Sequence, residues 1–158
     1  MPNERRTDSA TIEVAVKPEV AYAAFADASA LMAWLPPGDM AGSVHEYDFR
    51  EGGRYRIALT YGASRGDAIG KTSDRTDVTS GRFVSLQPPM RIVQSVEFES
   101  SDPAFAGEML MTWSFAPSPS GTTITIVASN VPPGISQADH DAGLRSSLQN
   151  LARYLGTP

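Results

Sequence analysis

Apolar residues recur along this chain with two different periods, and the change of period divides it into elements. Near the C-terminus leucines recur every three or four positions, at Leu144, Leu148, Leu151 and Leu155. This spacing is typical of one face of an α-helix. Ser136 precedes the pattern and Gly156 follows it, and these residue types are common at helix starts and ends. The pattern predicts a long C-terminal helix over 136–155.

A period of two, typical of strands with one buried face, governs most of the chain between residues 43 and 130. Six strands are predicted in hairpin succession, at 43–50, 54–61, 78–86, 91–98, 109–115 and 122–130. A first strand at 11–16 and two short helices, beginning at Pro18 and Ser29, precede them. Residues 1–10 are polar and are expected to form a flexible arm.

The segment 62–77 is rich in Gly, Ser, Asp and Arg and poor in apolar residues, so it is predicted to be a loop. Two interpretations stay open for it, a lid over a binding site and a long hairpin connection.

These elements predict one α+β domain over residues 1–158. Successive hairpins form an antiparallel sheet of about six or seven strands, and its apolar face must be covered. The C-terminal helix is the element long enough to cover it. A twisted sheet that curls about one helix leaves space between them, where a binding site is expected.

Composition narrows the function classes. The chain has no cysteine, which excludes disulfides and thiolate metal sites and suits the cytoplasm. A formal charge of −5 with scattered basic residues disfavours nucleic-acid binding. We expect no membrane insertion, no metal and no cofactor, because no apolar run, zinc spacing or nucleotide motif occurs.

Alternation assigns a mixed set of side chains to the face of the sheet that meets the helix. Several carry polar atoms, which favours a wet, amphiphilic cavity over a solid apolar core. The predicted ligand-binding residues from the strands are His45, Tyr47, Tyr55, Ile57, Leu59, Tyr61, Gln94, Phe98, Met109, Met111 and Trp113. Trp34 is added either as a cap on one end of the cavity or as an anchor for the helix pair.

Two histidines raise separate questions. His45 is the one candidate for catalysis, as a titratable group beside tyrosines, although a lone histidine on a strand is more often structural. His140 shares a helix face with Leu144, and both are placed in the binding set. The polar first turns of this helix either overhang solvent or border the mouth of the cavity.

The chain resembles the SRPBCC superfamily of START and Bet v 1-like proteins, in the branch named for the activator of Hsp90 ATPase. The resemblance covers about residues 10–155. Its residues are Pro18-Glu19, Tyr22, Phe25, Trp34, Asp48-Phe49-Arg50, Gly52-Gly53, Tyr55-Arg56, Gly81, Pro88, Arg91-Ile92-Val93, Met111-Thr112-Trp113, Gly121-Thr122 and Val131-Pro132-Pro133-Gly134.

The resemblance implies a helix-grip fold with an apolar cavity that takes small hydrophobic molecules. It does not imply an interaction with Hsp90. We therefore expect binding of a small hydrophobic or amphiphilic ligand. The alternatives are a cyclase or hydrolase acting on a hydrophobic substrate, and a stress-associated protein-interaction module. A homodimer is compatible with the sequence.

Overall fold

The alternating segments form seven antiparallel strands of one curved sheet in the computed structural model, which describes residues 5–36, 40–60 and 76–156. The strands are β1 (Arg6–Val14), β2 (Ala41–Tyr47), β3 (Arg54–Thr60), β4 (Thr76–Gln87), β5 (Arg91–Phe98), β6 (Met109–Ser118) and β7 (Gly121–Val131). The helices are α1 (Pro18–Ala23), α2 (Ala28–Trp34) and α3 (Gln137–Tyr154), and a single 3-10 turn spans Pro103–Phe105.

The strand order is β1-β7-β6-β5-β4-β3-β2, so the first strand pairs with the last and every other neighbour is a hairpin partner. Helix α3 packs on the β1 side of this sheet, and α1 and α2 lie between β1 and β2 in the chain. The predicted α+β fold, with two short helices after the first strand, is confirmed.

Helix α3 begins and buries its leucines as its sequence predicts. The Ser136 hydroxyl accepts a hydrogen bond of 3.1 Å from the Asp139 amide, which satisfies one of the free donors of the first turn. Leu144, Leu148 and Leu151 are buried against the sheet. Their burial provides the apolar contact that holds the helix in place.

Helix α2 begins one residue earlier than its sequence suggests. Asp27, and not Ser29, is the N-cap, because its carboxylate accepts a 2.6 Å hydrogen bond from the Ser29 amide. Helix α1 ends at Ala23, and Phe25 then turns into the core with 2% of its surface exposed.

Strand β1 starts at Arg6, so the expected flexible arm is wrong for residues 6–10. These residues pair with β7, where Asp8 lies opposite Ala128 and Ala10 lies opposite Ile126. The polar composition of this stretch hid the strand. Asp8 is nonetheless 2% exposed, because charged partners described below satisfy its carboxylate.

Strand β2 contains a bulge that the simple alternation misses. Val44 pairs with Ile57, and Glu46 pairs with the next residue, Arg56, so His45 is an extra residue in its strand. A bulge of this kind reverses the alternation between the residues on its two sides. Val44, before the bulge, therefore packs against the core as Tyr47 does after it, and His45 is exposed.

Part of the predicted loop 62–77 begins β4, at Thr76 and Asp77. The rest of that prediction, and its interpretation as a lid, lies outside the described residues. None of the helices described is both long enough and apolar enough to cross a membrane.

An aromatic cluster fills the centre between the short helices and the sheet. The Phe25 ring makes edge contacts with Trp34 and Trp113, each at a centroid distance of 4.8 Å, and with Phe115 at 5.3 Å. Edge-to-face rings of this kind pack closely and stabilise beyond their buried area. This end of the interior is a solid core.

Candidate functional site

One row of side chains crosses the helix-facing side of the sheet, and two of its members, Gln94 and Asp8, are polar. Strand pairing aligns Phe83, Gln94, Met111, Ala128 and Asp8 on five successive strands from β4 to β1. Ala128 is fully buried, whereas Met111 and Gln94 are half-buried. The surface of the row is therefore most open at its middle.

Gln94 is the first polar centre of this row. Its Oε1 atom accepts a 2.9 Å hydrogen bond from the Trp113 indole nitrogen. Gln94 also acts to lower the pKa of the Tyr55 hydroxyl, which donates to the backbone carbonyl of Ser95. Burial raises the pKa of Tyr55 far above its ordinary value, so the phenol stays protonated and acts as a donor.

The other predicted polar side chains on this face are also satisfied within the protein. The Tyr47 hydroxyl donates to the carbonyl of Phe25, and burial raises the pKa of Tyr47 well above its ordinary value. The Trp34 indole nitrogen donates to the carbonyl of Ala24 at 3.1 Å. With 1% of its surface exposed, Trp34 anchors the helix pair and does not cap a cavity.

His45 does not belong to this face, and the expectation that it lies there is wrong. Its side chain is exposed, beside the ion pair in which Arg56 holds Glu99 at 2.8 Å. The hydrogen bond from Arg56 lowers the pKa of Glu99, and the electrostatic influence of His45 acts in the same direction. His45 therefore lies with this pair on the opposite side of the sheet.

The remaining residues of the predicted binding set differ in how much of their surface is exposed to solvent. Ile57, Met109 and Leu144 are at most 6% exposed. Leu59 and Phe98 pack against the core but keep part of their surface accessible. Tyr61 lies outside the described residues.

The second polar centre is a buried carboxylate that the sequence did not reveal. The Arg6 guanidinium binds both oxygens of Asp8, at 2.7 and 3.0 Å, and His140 Nδ1 lies 2.7 Å from Asp8 Oδ2. The Asp8 side chain is fully buried, and 13% of the His140 side chain is exposed. This group of Arg6, Asp8 and His140 is called the carboxylate cluster below.

Burial by itself raises the pKa of Asp8, but the hydrogen bonds from Arg6 and His140 more than offset it, so the pKa is lowered. Arg6 also donates to the carbonyl of Ile135 at 2.7 Å, just before α3 begins. The cluster therefore ties β1 to the N-terminal end of α3. One face of β1 carries Asp8, Ala10, Ile12 and Val14. This alternation in the sequence is the signal that could have placed Asp8 on the buried face.

Two open grooves occur elsewhere on the described surface. One, of about 400 Å³, runs between β1 and α3 beside Arg145 and Leu148. The other, of about 380 Å³, lies at the turn between β4 and β5, near Met90 and Phe115. In the described part of the chain, no three acidic or histidine side chains are grouped as metal ligands.

The sequence model of the activator of Hsp90 ATPase homologue 1-like proteins matches residues 15–156, nearly the whole chain. The chain belongs to this family. A comparison with curated proteins gives no match.

Solved structures of other proteins share the fold. A protein from Chromobacterium violaceum is 30% identical with a TM-score of 0.84, and the match covers 100% of both chains. The protein named AHSA1 from Silicibacter pomeroyi is 19% identical with a TM-score of 0.77, over 96% of this chain and 98% of its own. A protein from Rhodobacter sphaeroides is 20% identical with a TM-score of 0.78, over 99% of this chain and 95% of its own. The family and these neighbours agree with the helix-grip fold of the SRPBCC superfamily.

Proposed function

We propose that this protein binds a small hydrophobic or amphiphilic molecule between the sheet and helix α3. The observation that carries the proposal is the half-buried middle of the cross-strand row, where Met111 and Gln94 lie between fully buried neighbours. In a fully packed core, the side chains at the middle of the sheet would be buried like their neighbours. A surface of this kind, apolar with a fixed polar group, is what small-molecule sites present.

Other apolar side chains pack against the core but are only partly buried, and they include Met32, Leu35, Leu59, Phe98 and Phe105. Covering apolar surface of this kind gains about 25 cal/mol for each Å² removed from water. Met111 can adapt to ligands of different shape, because its side chain is unbranched and flexible.

Gln94 gives the proposed site one polar group of fixed orientation. Its carbonyl oxygen is held by Trp113, which orients the amide, and an amide nitrogen carries two hydrogens. Since Trp113 already holds the amide, Gln94 can orient the polar part of a ligand with little further loss of conformational freedom.

The enzyme alternative has weaker support, because His45 lies away from this face. We propose a cytoplasmic location, which the lack of cysteine supports. The proposed activity requires no nucleic acid, no membrane and no second copy of the chain.

Titration with the neutral fluorophore Nile red tests the proposed site. Met111→Trp fills the middle of the row and is expected to weaken binding about tenfold or more. Leu110→Trp is the matched control, because Leu110 is the neighbouring residue on the opposite face of β6. Failure of the parent protein to bind at micromolar concentration, or equal loss in both variants, would overturn the proposal.

A further inference from the structure

The carboxylate cluster determines which ring nitrogen of an accessible histidine carries the hydrogen in the neutral ring. Arg6 Nε donates to Asp8 Oδ1, and Arg6 Nη2 donates to Asp8 Oδ2. A guanidinium is always charged and donates only, so it holds Asp8 as a carboxylate that only accepts. The lowered pKa of Asp8 agrees with this assignment.

Since the carboxylate accepts, the nitrogen of His140 that faces it must carry the hydrogen. That nitrogen is Nδ1, 2.7 Å from Asp8 Oδ2. In the neutral ring only one nitrogen is protonated, so Nε2 keeps its lone pair and is a hydrogen-bond acceptor. Asp8 thus fixes both the tautomer and the orientation of the ring.

Among the described residues, Nε2 has no hydrogen-bond partner. It is also not among the unpaired side-chain nitrogen and oxygen atoms that are fully buried in that part of the chain. His140 is four residues before Leu144, so it lies on the sheet-facing side of α3, at the N-terminal end of the buried leucines. The acceptor is therefore accessible at the edge of the interface between helix and sheet.

This acceptor lies toward the β1 end of the row that carries the proposed binding surface. Asp8 and Met111 are two strands apart on one row, which is about 10 Å at the usual strand spacing. The residue between them, Ala128, has only a methyl group, so little side chain separates the cluster from Met111. A molecule that lies on Met111 must therefore extend about 10 Å along the row to reach the cluster.

We infer that His140 Nε2 accepts a hydrogen bond from the polar end of the ligand, which is therefore an amphiphile that ends in a hydroxyl or phenol group. This inference rests on the proposed function and adds the chemical class of the ligand. A carboxylate is disfavoured, because Asp8 and the nearby Asp141 already place negative charge around Arg6. An ether of the same length lacks the hydrogen that Nε2 needs.

The tautomer can be measured without any ligand. In the protein labelled with 15N at histidine, the chemical shifts of the neutral His140 ring are expected to show a proton on Nδ1 and none on Nε2. His45, which is exposed, is the internal reference for an unconstrained ring. A proton on Nε2 of His140 would overturn the assignment, whatever the protein binds.

The ligand class is tested by displacement of Nile red with decanol, decyl methyl ether and decanoate. Decanol is expected to bind about tenfold more tightly than the ether, the effect of one net hydrogen bond. His140→Asn removes the acceptor but keeps an amide that can reach Asp8, and it should abolish this preference. His45→Asn is the matched control and should keep the preference.

The outcomes separate the two proposals. If all three compounds bind equally well in the parent and in His140→Asn, the ligand surface stands and the role of His140 is wrong. If the parent binds Nile red and none of the three compounds displaces it, the ligand class is wrong. If Nile red itself does not bind, the proposed function fails, and the ligand class fails with it. Urea unfolding of His140→Asn shows whether the variant is folded at the titration temperature.

Discussion

The hydroxyl group of Tyr55 on β3 donates a hydrogen bond to the backbone carbonyl of Ser95 on β5, across the intervening strand β4. Gly81 of β4, the pairing partner of Tyr55, makes this possible, because a Cβ atom there would lie 1.9 Å from the Ser95 oxygen and 2.9 Å from the Tyr55 hydroxyl. The absence of a side chain at one position thus lets a phenol reach across the sheet.

Gly81→Ala is therefore expected to reduce the free energy of unfolding by more than ~2 kcal/mol, because backbone must shift to admit the new methyl group. Tyr55→Phe should cost about 1–2 kcal/mol, since it removes a buried hydrogen bond. Urea denaturation measures both. Gly143→Ala is the control, because the added Cβ meets nothing within 4 Å and should raise helix stability. A neutral Gly81→Ala would contradict the close approach.

Asp8→Asn tests the energetic role of the carboxylate cluster. Removing one partner of a buried ion pair leaves the other charge uncompensated, so the variant should lose roughly 3 kcal/mol at neutral pH. Because the folded pKa of Asp8 is lowered from 3.8, its contribution is complete above that value and is lost as pH falls through the folded pKa. The stability difference between parent and variant should therefore narrow below pH 3.8.

Urea denaturation at a series of pH values from neutral to acid provides this measurement. Glu97→Gln, an exposed carboxylate on β5, should follow the parent throughout. A constant difference between Asp8→Asn and the parent across the whole series would show that the carboxylate does not titrate as described.

Helix α3 holds the fold through its buried leucines. Leu151 has no exposed surface, so Leu151→Ala should cost about 2–5 kcal/mol through lost burial and the cavity left behind. Gln149→Ala, at an exposed position of the same helix, should change stability by less than ~0.5 kcal/mol. Thermal denaturation compares the two, and similar melting temperatures would contradict the assigned face.

The bulge at His45 predicts that the protein tolerates both substitution and deletion of this residue. His45→Ala removes an exposed side chain and should change neither stability, beyond ~0.5 kcal/mol, nor Nile red binding. Deletion of His45 removes the extra residue of β2 and places Val44 and Glu46 in consecutive pairing positions. The shortened strand then alternates regularly, with Val44 and Tyr47 on the core side and Glu46 on the outer side, so stability should change little. Strong destabilisation by the deletion would argue against the bulge, because deletion of a residue from a regular strand reverses the faces of one end.

Alternation along the chain predicts the sheet and α3 well, because each buried face repeats without interruption in the sequence. It fails at His45, since a bulge inserts one residue and leaves no local mark on composition. It also fails at β1, where Asp8 is polar yet buried, because its partner His140 is 132 positions away in the chain.

The prediction of a polar cavity from the tyrosines shows a different limit of sequence patterns. The sequence pattern presents Tyr47 and Tyr55 as polar groups in need of partners, but their acceptors are the backbone carbonyls of Phe25 and Ser95. Backbone acceptors are the same in every sequence, so side-chain patterns cannot show where they lie. The half-buried state of Met111, by contrast, depends on the sizes of its neighbours across three strands, which only the fold brings together.

The most direct test of the binding surface is methyl NMR of the methionines, six in the full chain, during titration with Nile red. The account predicts a saturable shift of the Met111 methyl signal, because this half-buried side chain lies at the middle of the proposed surface. The Met90 signal should not change, because Met90 is 47% exposed at the turn between β4 and β5, away from α3. Shifts confined to Met90, or no saturable shift of any methionine, would contradict it.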